Sequence, residues 1–290
     1  MRHGRIDSIA RRPRALGIAS AALLLAATLA RAEPITLVLC APGYPGSTAE
    51  AQPTLDAFAA AASRAAGWPA GSLAAIYHES RSAGLARLAE ADAALALVPL
   101  SFFLEQRAAL DLAPIAQAVP AGGEASESWS LVAGKGRVAS AAGLAGFELV
   151  GLAADSPRFV RAALAKWGEL PSDLTMRASG AVLSALRRAA SGAPVAVLLD
   201  REAAAALPTL PFAAELEIVA RTPPLPVSVL ATVRGRLPAA RAAAFSGALA
   251  GLAGTAEGAA ALAGLRLARF VPPDGAALAA IESAFAAEKP

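Results

Sequence analysis

Short apolar runs of strand length recur along the chain, at Ile35 to Cys40, Leu73 to Tyr77, Ala94 to Val98, Glu148 to Leu152 and Val195 to Leu199. Between them lie stretches of helix length, at 55–66, 82–91, 157–167 and 181–190. Leu55, Phe58, Ala59 and Ala62 fall at the spacing that shares one helix face, as do Phe159, Val160, Ala163 and Leu164. This alternation predicts βα units and largely parallel sheets. Gly67-Trp68-Pro69 reads as the end of the first helix, with Trp68 packing there rather than binding. Two stretches break the pattern: SWSLVA from Ser128 and VSVLATV from Val227 are extended and β-rich. A second lobe inserted between residues near 130 and 225 requires two crossings of this kind. From Pro238 the pattern is helical again, over 241–252, 255–262 and 275–287.

Residues 1–32 read as an export signal. They carry five arginines in the first fourteen positions, an apolar run from Ala15 to Ala30, and a small-x-small cleavage site at Ala30-Arg31-Ala32. The run is short for a transmembrane helix. A soluble protein is therefore expected in the periplasm after cleavage near Ala32. Pro13 and Arg14 after Arg11-Arg12 favour the ordinary secretory route, and Leu39 is too large for a lipoprotein cleavage box, so Cys40 reads as a buried strand residue. The signal holds six of the 26 basic and one of the 23 acidic residues, leaving 20 against 22 and a formal charge of −2. Nucleic acid then has no electrostatic argument as a partner. A single cysteine excludes an internal disulfide, and with His78 as the one histidine after the signal, a zinc site has too few ligands. The remaining length suits two lobes.

In open α/β sheets ligands collect at the carboxyl ends of strands, where the next helices point their N-termini. Those junctions read Tyr44-Pro45-Gly46-Ser47-Thr48, His78-Glu79-Ser80, Pro99-Leu100-Ser101, Asp155-Ser156 and Asp200. Hydroxyls with free helix N–H groups bind an anion without a formal positive charge, but the same residue types are also preferred N-caps. His78 fits either a strand-end packing role or a ligand contact. Ser47 and Glu50 have capping-box spacing, whereas Pro53, which fits best in a first turn, moves the expected helix start towards Gln52 and leaves 46–48 facing the crevice. Tyr44 and Trp129 are the aromatics placed to wall a cleft. Arg81, Arg158 and Arg201 each closely follow a junction and are either charge donors or solvated. A hydrolase would be composed from Ser101 or Ser156 with His78 and Asp200, but no G-x-S-x-G elbow surrounds either serine. Residues 43–48 lack the lysine of a nucleotide-phosphate loop. No enzyme and no cofactor is expected.

The order of segments carries a resemblance. PGYPGSTAEAQPTLDAF leads into the first helix, and DAALALVPLSFFLEQ forms a strand and a serine-bearing helix start. AAGLAGFELVGLAADSP, VAVLLDREAA, ARTPPLPVSVLATVRGRLP and LAGTAEGAAALAGLRLARFVPPD follow in turn. In this order the chain resembles type 2 periplasmic solute-binding proteins, in the phosphate/phosphonate-binding branch of ABC-transporter substrate-binding proteins. The resemblance implies an α/β fold of two lobes, each a mostly parallel sheet flanked by helices, with two β crossings as hinge. The boundaries implied are 33–129 and 225–290 for one lobe and 130–224 for the other. It further implies a monomer that captures a small polar solute, an oxyanion such as phosphate or phosphonate, for an ABC permease. A stand-alone or sensory module of the same fold is the alternative. Ser47, Thr48, Ser101 and Ser156 become the implied anion contacts, with Tyr44, His78 and Asp200 lining the cleft. Asp155-Ser156-Pro157 departs from the family's serine/threonine- and glycine-rich turn: the proline removes a donor N–H, and Asp155 would repel an anion if it faced inward.

Overall fold

The first lobe's opening elements are β1 (Ile35–Cys40), α1 (Thr48–Ala65), β2 (Leu73–His78), α2 (Arg81–Ala89), β3 (Ala93–Pro99), α3 (Leu100–Leu110) and β4 (Leu112–Pro120). They belong to a computed structural model that describes residue 1, residues 34–43 and residues 46–288; the export signal and Tyr44 lie outside the described residues. The chain continues through β5 (Ser126–Glu127), β6 (Ser130–Gly134), β7 (Glu148–Gly151), α4 (Pro157–Leu164), β8 (Thr175–Ala178), α5 (Val182–Ala190), β9 (Val195–Leu199), α6 (Arg201–Ala206) and β10 (Leu216–Arg221). It ends with β11 (Leu225–Pro226), β12 (Ser228–Val233), α7 (Ala239–Gly251), α8 (Ala256–Gly264), β13 (Leu267–Val271) and α9 (Gly275–Ala287). Glu33–Pro290 forms one compact unit.

The strands make a six-stranded sheet ordered β13-β4-β12-β3-β1-β2, a five-stranded sheet ordered β10-β6-β9-β7-β8, and a two-stranded ribbon of β11 and β5. β1 is parallel to β2 and β3, and β7 to β8 and β9. β12 is antiparallel to β3 and β4, β13 to β4, and β6 to β9 and β10. The sheets are thus mixed rather than largely parallel. Chain routing is the reason: the chain crosses between sheets at β5 and returns at β11, so β6 and β12 each start at the edge where their neighbours end. As a result β1, β2, β3 and β4 of one sheet, and β7, β8, β9 and β10 of the other, direct their carboxyl ends toward the crossings.

β3 and β9 are interior strands buried along almost their whole length, as expected for strands covered on both faces. α1 buries Leu55, Phe58, Ala59 and Ala62 against one face of the six-stranded sheet, in a cluster that includes Phe245, Leu262 and Phe270. On the opposite face, Phe102 and Phe103 of α3 join a buried cluster that continues through Phe159 and Val160 of α4 to Ile281 and Phe285 of α9. Apolar contact is therefore continuous from one sheet to the other. Arg158 fastens the join, lying 4.2 Å from the Phe285 ring centroid and donating from Nε to the Glu288 carbonyl at 3.0 Å.

α1 begins at Thr48, not near Gln52, with Pro53 inside the helix. Ser47 and Glu50 close a full capping box: Glu50 N–H donates to Ser47 Oγ at 3.3 Å, and Ser47 N–H donates to Glu50 Oε2 at 2.9 Å. Thr48 Oγ1 adds a bond to the Tyr77 carbonyl at 2.8 Å. These contacts hold the first turn in place and offset the i→i−4 bond that proline cannot donate. Trp68 packs as expected, stacked 4.8 Å from the Phe245 ring.

Candidate functional site

Where the carboxyl ends of the two sheets meet, Pro99, Leu100 and Ser101 from the β3–α3 junction face Leu152, Ala153 and Asp155 from the turn after β7. Trp129 and Val227, from the two crossings, close the sides. The space left between them is ≈ 20 Å³, about the room one water molecule needs. Pro42 belongs to the same wall, and Gly43 beside it is in the left-handed region at φ +82°, with Leu152 Cδ2 3.3 Å from where a Cβ would stand. A second cavity of ≈ 120 Å³ adjoins the first and shares Trp129 and Leu152 with it; Gly180, Val182 and Asp200 complete it.

Ser101 is the second residue of α3, 8% exposed, and lines the smaller cavity. The cap position of α3 is Pro99, which supplies no side-chain bond to the first turn of the helix. α5 likewise begins without a side-chain cap, after Ala181, at the second cavity. The other junction helices are capped by their own residues. Ser156, 1% exposed, accepts from Phe159 N–H at 3.3 Å and donates to Glu105 Oε1 at 2.5 Å. Asp200 Oδ1 accepts from Ala203 N–H at 2.8 Å. Ser80 caps α2 and Ser47 caps α1. Thr48, besides its bond to Tyr77, lies 3.3 Å from Glu79 Oε2.

His78 ends β2, in register with Cys40 of β1. Burial lowers its pKa below the ordinary histidine value, so the ring is neutral near pH 7, and its buried Nε2 has no partner among the described residues. Burial pushes the Cys40 thiol up to about 12, which removes it as a nucleophile. Ser101 thus lines the first cavity and Asp200 the second, Ser156 is buried next to the lining residue Asp155 without lining either, and Ser47, Thr48 and His78 stand at the β1–β2 side. Ser156 is held by Glu105, and Asp200 by its own helix, so no hydrogen-bonded relay from either to His78 is formed. Among the described residues, no three His, Cys, Asp or Glu side chains are grouped to hold a metal ion, and no helix is long and apolar enough to cross a membrane.

Sequence reasoning leaves one pair unmatched. Arg81 Nη2 meets Asp155 Oδ2 at 2.6 Å, joining the two sheets. The guanidinium carbon lies 5.3 Å from the Phe102 ring centroid. Burial pushes the Asp155 carboxyl above its ordinary value, outweighing the downward pull of Arg81. Arg201 instead turns to the crossing, where its N–H donates to Glu127 Oε2 at 3.2 Å and its Nη2 to the Gly122 carbonyl at 3.2 Å. The only sequence signals for the Arg81 pair are the positions of both residues at strand-to-helix junctions. Glu105, the partner of Ser156, carries a fainter one, four residues after Ser101 on the same helix.

A family model described as "ABC transporter, phosphonate, periplasmic substrate-binding protein" matches residues 74–278. Among solved structures, the chain is similar to XAC2383 from Xanthomonas citri bound to chloride ion, at 16% identity and a TM-score of 0.66, covering 87% of this chain and 97% of that one. It is also similar to a binding protein component of an ABC phosphonate transporter from Pseudomonas aeruginosa, at 16% identity and TM-score 0.58, with 87% and 85% covered. PhnD1 from Prochlorococcus marinus, in complex with methylphosphonate, gives 15% identity and TM-score 0.57, with 87% and 97% covered. At such identities the structures establish a common fold. A search of curated proteins finds no match.

Proposed function

The chain belongs to the phosphonate-binding periplasmic substrate-binding proteins of ABC transporters, and on that premise we propose that it captures a small oxyanion, a phosphonate or phosphate, between its two sheets and delivers it to a membrane permease. The observation that carries this reading is the pair of uncapped helix N-termini, α3 from one sheet and α5 from the other, at cavities that share Trp129 and Leu152. Free N–H groups at the positive ends of two helix dipoles suit an anion with several acceptor oxygens. Ser101 supplies a hydroxyl at the first of these ends. Ser156 and Asp200 shape the walls through their caps, and Ser47, Thr48 and His78 form the β1–β2 side. Residues 33–129 with 225–290, and residues 130–224, act as two lobes that close about the β5–β11 ribbon, so that contacts from both complete the site. In the same reading the protein is a non-catalytic monomer that works in the periplasm after cleavage near Ala32.

The test is a thermal-shift screen with inorganic phosphate, methylphosphonate and other small oxyanions. At a concentration about a hundredfold above Kd, binding stabilises the fold by about 2.7 kcal/mol. For a chain of this size that is a rise in Tm of about 5–11 °C. A panel in which no oxyanion moves Tm beyond about 1 °C refutes solute capture of this class.

A further inference from the structure

Arg81 is the first residue of α2, and Asp155 ends the turn after β7, so their 2.6 Å contact ties an edge of one sheet to the other. Both side chains are largely withdrawn from water, at 28% and 17% exposure, and the guanidinium lies over the Phe102 ring. A second carboxylate, Glu105, is close enough to act on Asp155 and is held by the Ser156 hydroxyl. The arrangement is one cation paired with a carboxylate that has a second acidic group near it, beside the cavity that Ser101 and Asp155 both line.

A partly buried ion pair is a poor stabilising device, because desolvating two charges consumes most of what their attraction returns. Apolar packing among Phe102, Phe103, Phe159 and α9 already joins the sheets. A guanidinium, by contrast, is the side chain best matched to planar or tetrahedral oxyanions through parallel N–H···O bonds. A carboxylate presents it with two of the oxygens that a phosphonate or phosphate presents.

We propose that Arg81 is the cation that receives the solute's oxyanion, and that Asp155 is a built-in competitor whose carboxylate holds that place until the solute displaces it. The proposal rests on the solute-capture reading and adds to it a residue role and a selection rule. Asp155 raises the affinity an anion must have before it enters. Anions with high charge and several oxygens, such as phosphonate and phosphate dianions, pass that threshold, and weakly paired monoanions do not. An anion at the cavity beside an unmoved Asp155 would meet a like charge, so exchange on Arg81 resolves the repulsion.

The test is calorimetric titration of methylphosphonate and inorganic phosphate into the full exported chain and its variants, at one ionic strength. Asp155→Asn keeps the shape and one acceptor for Arg81 but removes the competing charge. It should bind both anions tighter by about fivefold or more, while Arg81→Gln should bind them about tenfold weaker or worse. Asp155→Glu, which retains a competing carboxylate, should show no tightening. If Asp155→Asn melts below the assay temperature, Asp155→Ser carries the same expectation and decides instead. A wild type that binds, with the charge-removed variant binding no tighter, overturns the competitor role alone. A wild type that binds neither anion overturns solute capture, and this proposal with it.

Discussion

Ser156→Ala separates a structural hydroxyl from a ligand contact. The Ser156 hydroxyl accepts the Phe159 N–H at the start of α4 and donates to Glu105 from the other sheet at 2.5 Å. Loss of an N-cap costs about 1 kcal/mol. Loss of a hydrogen bond to a charged acceptor costs about 1.5–3 kcal/mol, and because Glu105 is only part-buried and recovers some hydration, the lower end applies. The sum is about 2–3 kcal/mol, which lowers Tm by about 4–12 °C in a chain of this size. Urea unfolding should show a lower midpoint with an unchanged slope, the sign of a stability loss without a change in exposed surface. Methylphosphonate affinity should stay within about threefold of wild type, whereas Ser101→Ala, at the uncapped end of α3, should weaken it about tenfold. A Ser156→Ala protein that loses less than about 0.5 kcal/mol, the scatter of ordinary surface changes, yet binds the anion much more weakly, would sink the reasoning.

Two further outcomes are expected. Gly84→Ala places a Cβ 2.2 Å from Cys40 Sγ and 2.8 Å from Cys40 Cβ, so it should cost about 1–3 kcal/mol by overpacking. Adding Cys40→Ala, which removes the nearest atom, should restore part of that loss; a double-mutant cycle with no coupling would contradict the packing account. The Arg87 guanidinium, with help from the Thr36 hydroxyl, holds the Asp92 carboxyl down at about 2 against burial. A depressed carboxylate pKa stabilises above the unfolded value and loses that stabilisation as pH falls through the folded one. Since the Asp92 side chain is 44% exposed, screening limits the effect to about 1 kcal/mol. Asp92→Asn should therefore be less stable than wild type at about pH 5, with the gap closing toward about pH 2; a gap that stays constant over that range would contradict the assignment.

Several interior strands were legible in the sequence because both faces are covered. β3 and β9 read as unbroken apolar runs for that reason, and β1 and β7 as runs interrupted only by Thr36 and Glu148. The strands missed by periodicity break the pattern for physical causes that one sequence does not display. β4 carries Pro114 and a nearly fully buried Gln117. β8 is an edge strand whose residues are mostly exposed, and β13 is an edge strand with Arg269 facing water. Directions within the sheets followed from routing through the crossings, and counting βα units alone overstated the parallel share. At the site, Ser101 was legible as a hydroxyl at a junction and Trp129 as an aromatic at a crossing. The Arg81–Asp155 contact was not: the two residues are 74 positions apart and sit on different sheets, and local pattern carries no distance between sheets.

The distribution of caps decides which helix ends remain available to an anion. A serine at a junction is ambiguous in sequence because the same hydroxyl serves either its own helix or a ligand. In the structure Ser47, Ser80, Ser156 and Asp200 each accept an N–H from their own first turn, which satisfies one orphan donor and puts an acceptor at the positive end of each dipole. α3 differs because its cap residue is proline, which has neither a side-chain acceptor nor an N–H. Leu100, Ser101 and Phe102, its first three residues, are buried at 3%, 8% and 0% exposure. N–H groups in such a setting cost about 1–3 kcal/mol each if left unpaired, so this helix end calls for an acceptor from outside its own helix. α5, from the other sheet, also lacks a side-chain cap, with Ala181 where one would stand, but Ala181, Leu183 and Ser184 are exposed, so its first N–H groups are open to water. A negatively charged solute at the first end of α3 answers that need, and Asp155, which lines the same cavity, is the group it must outcompete.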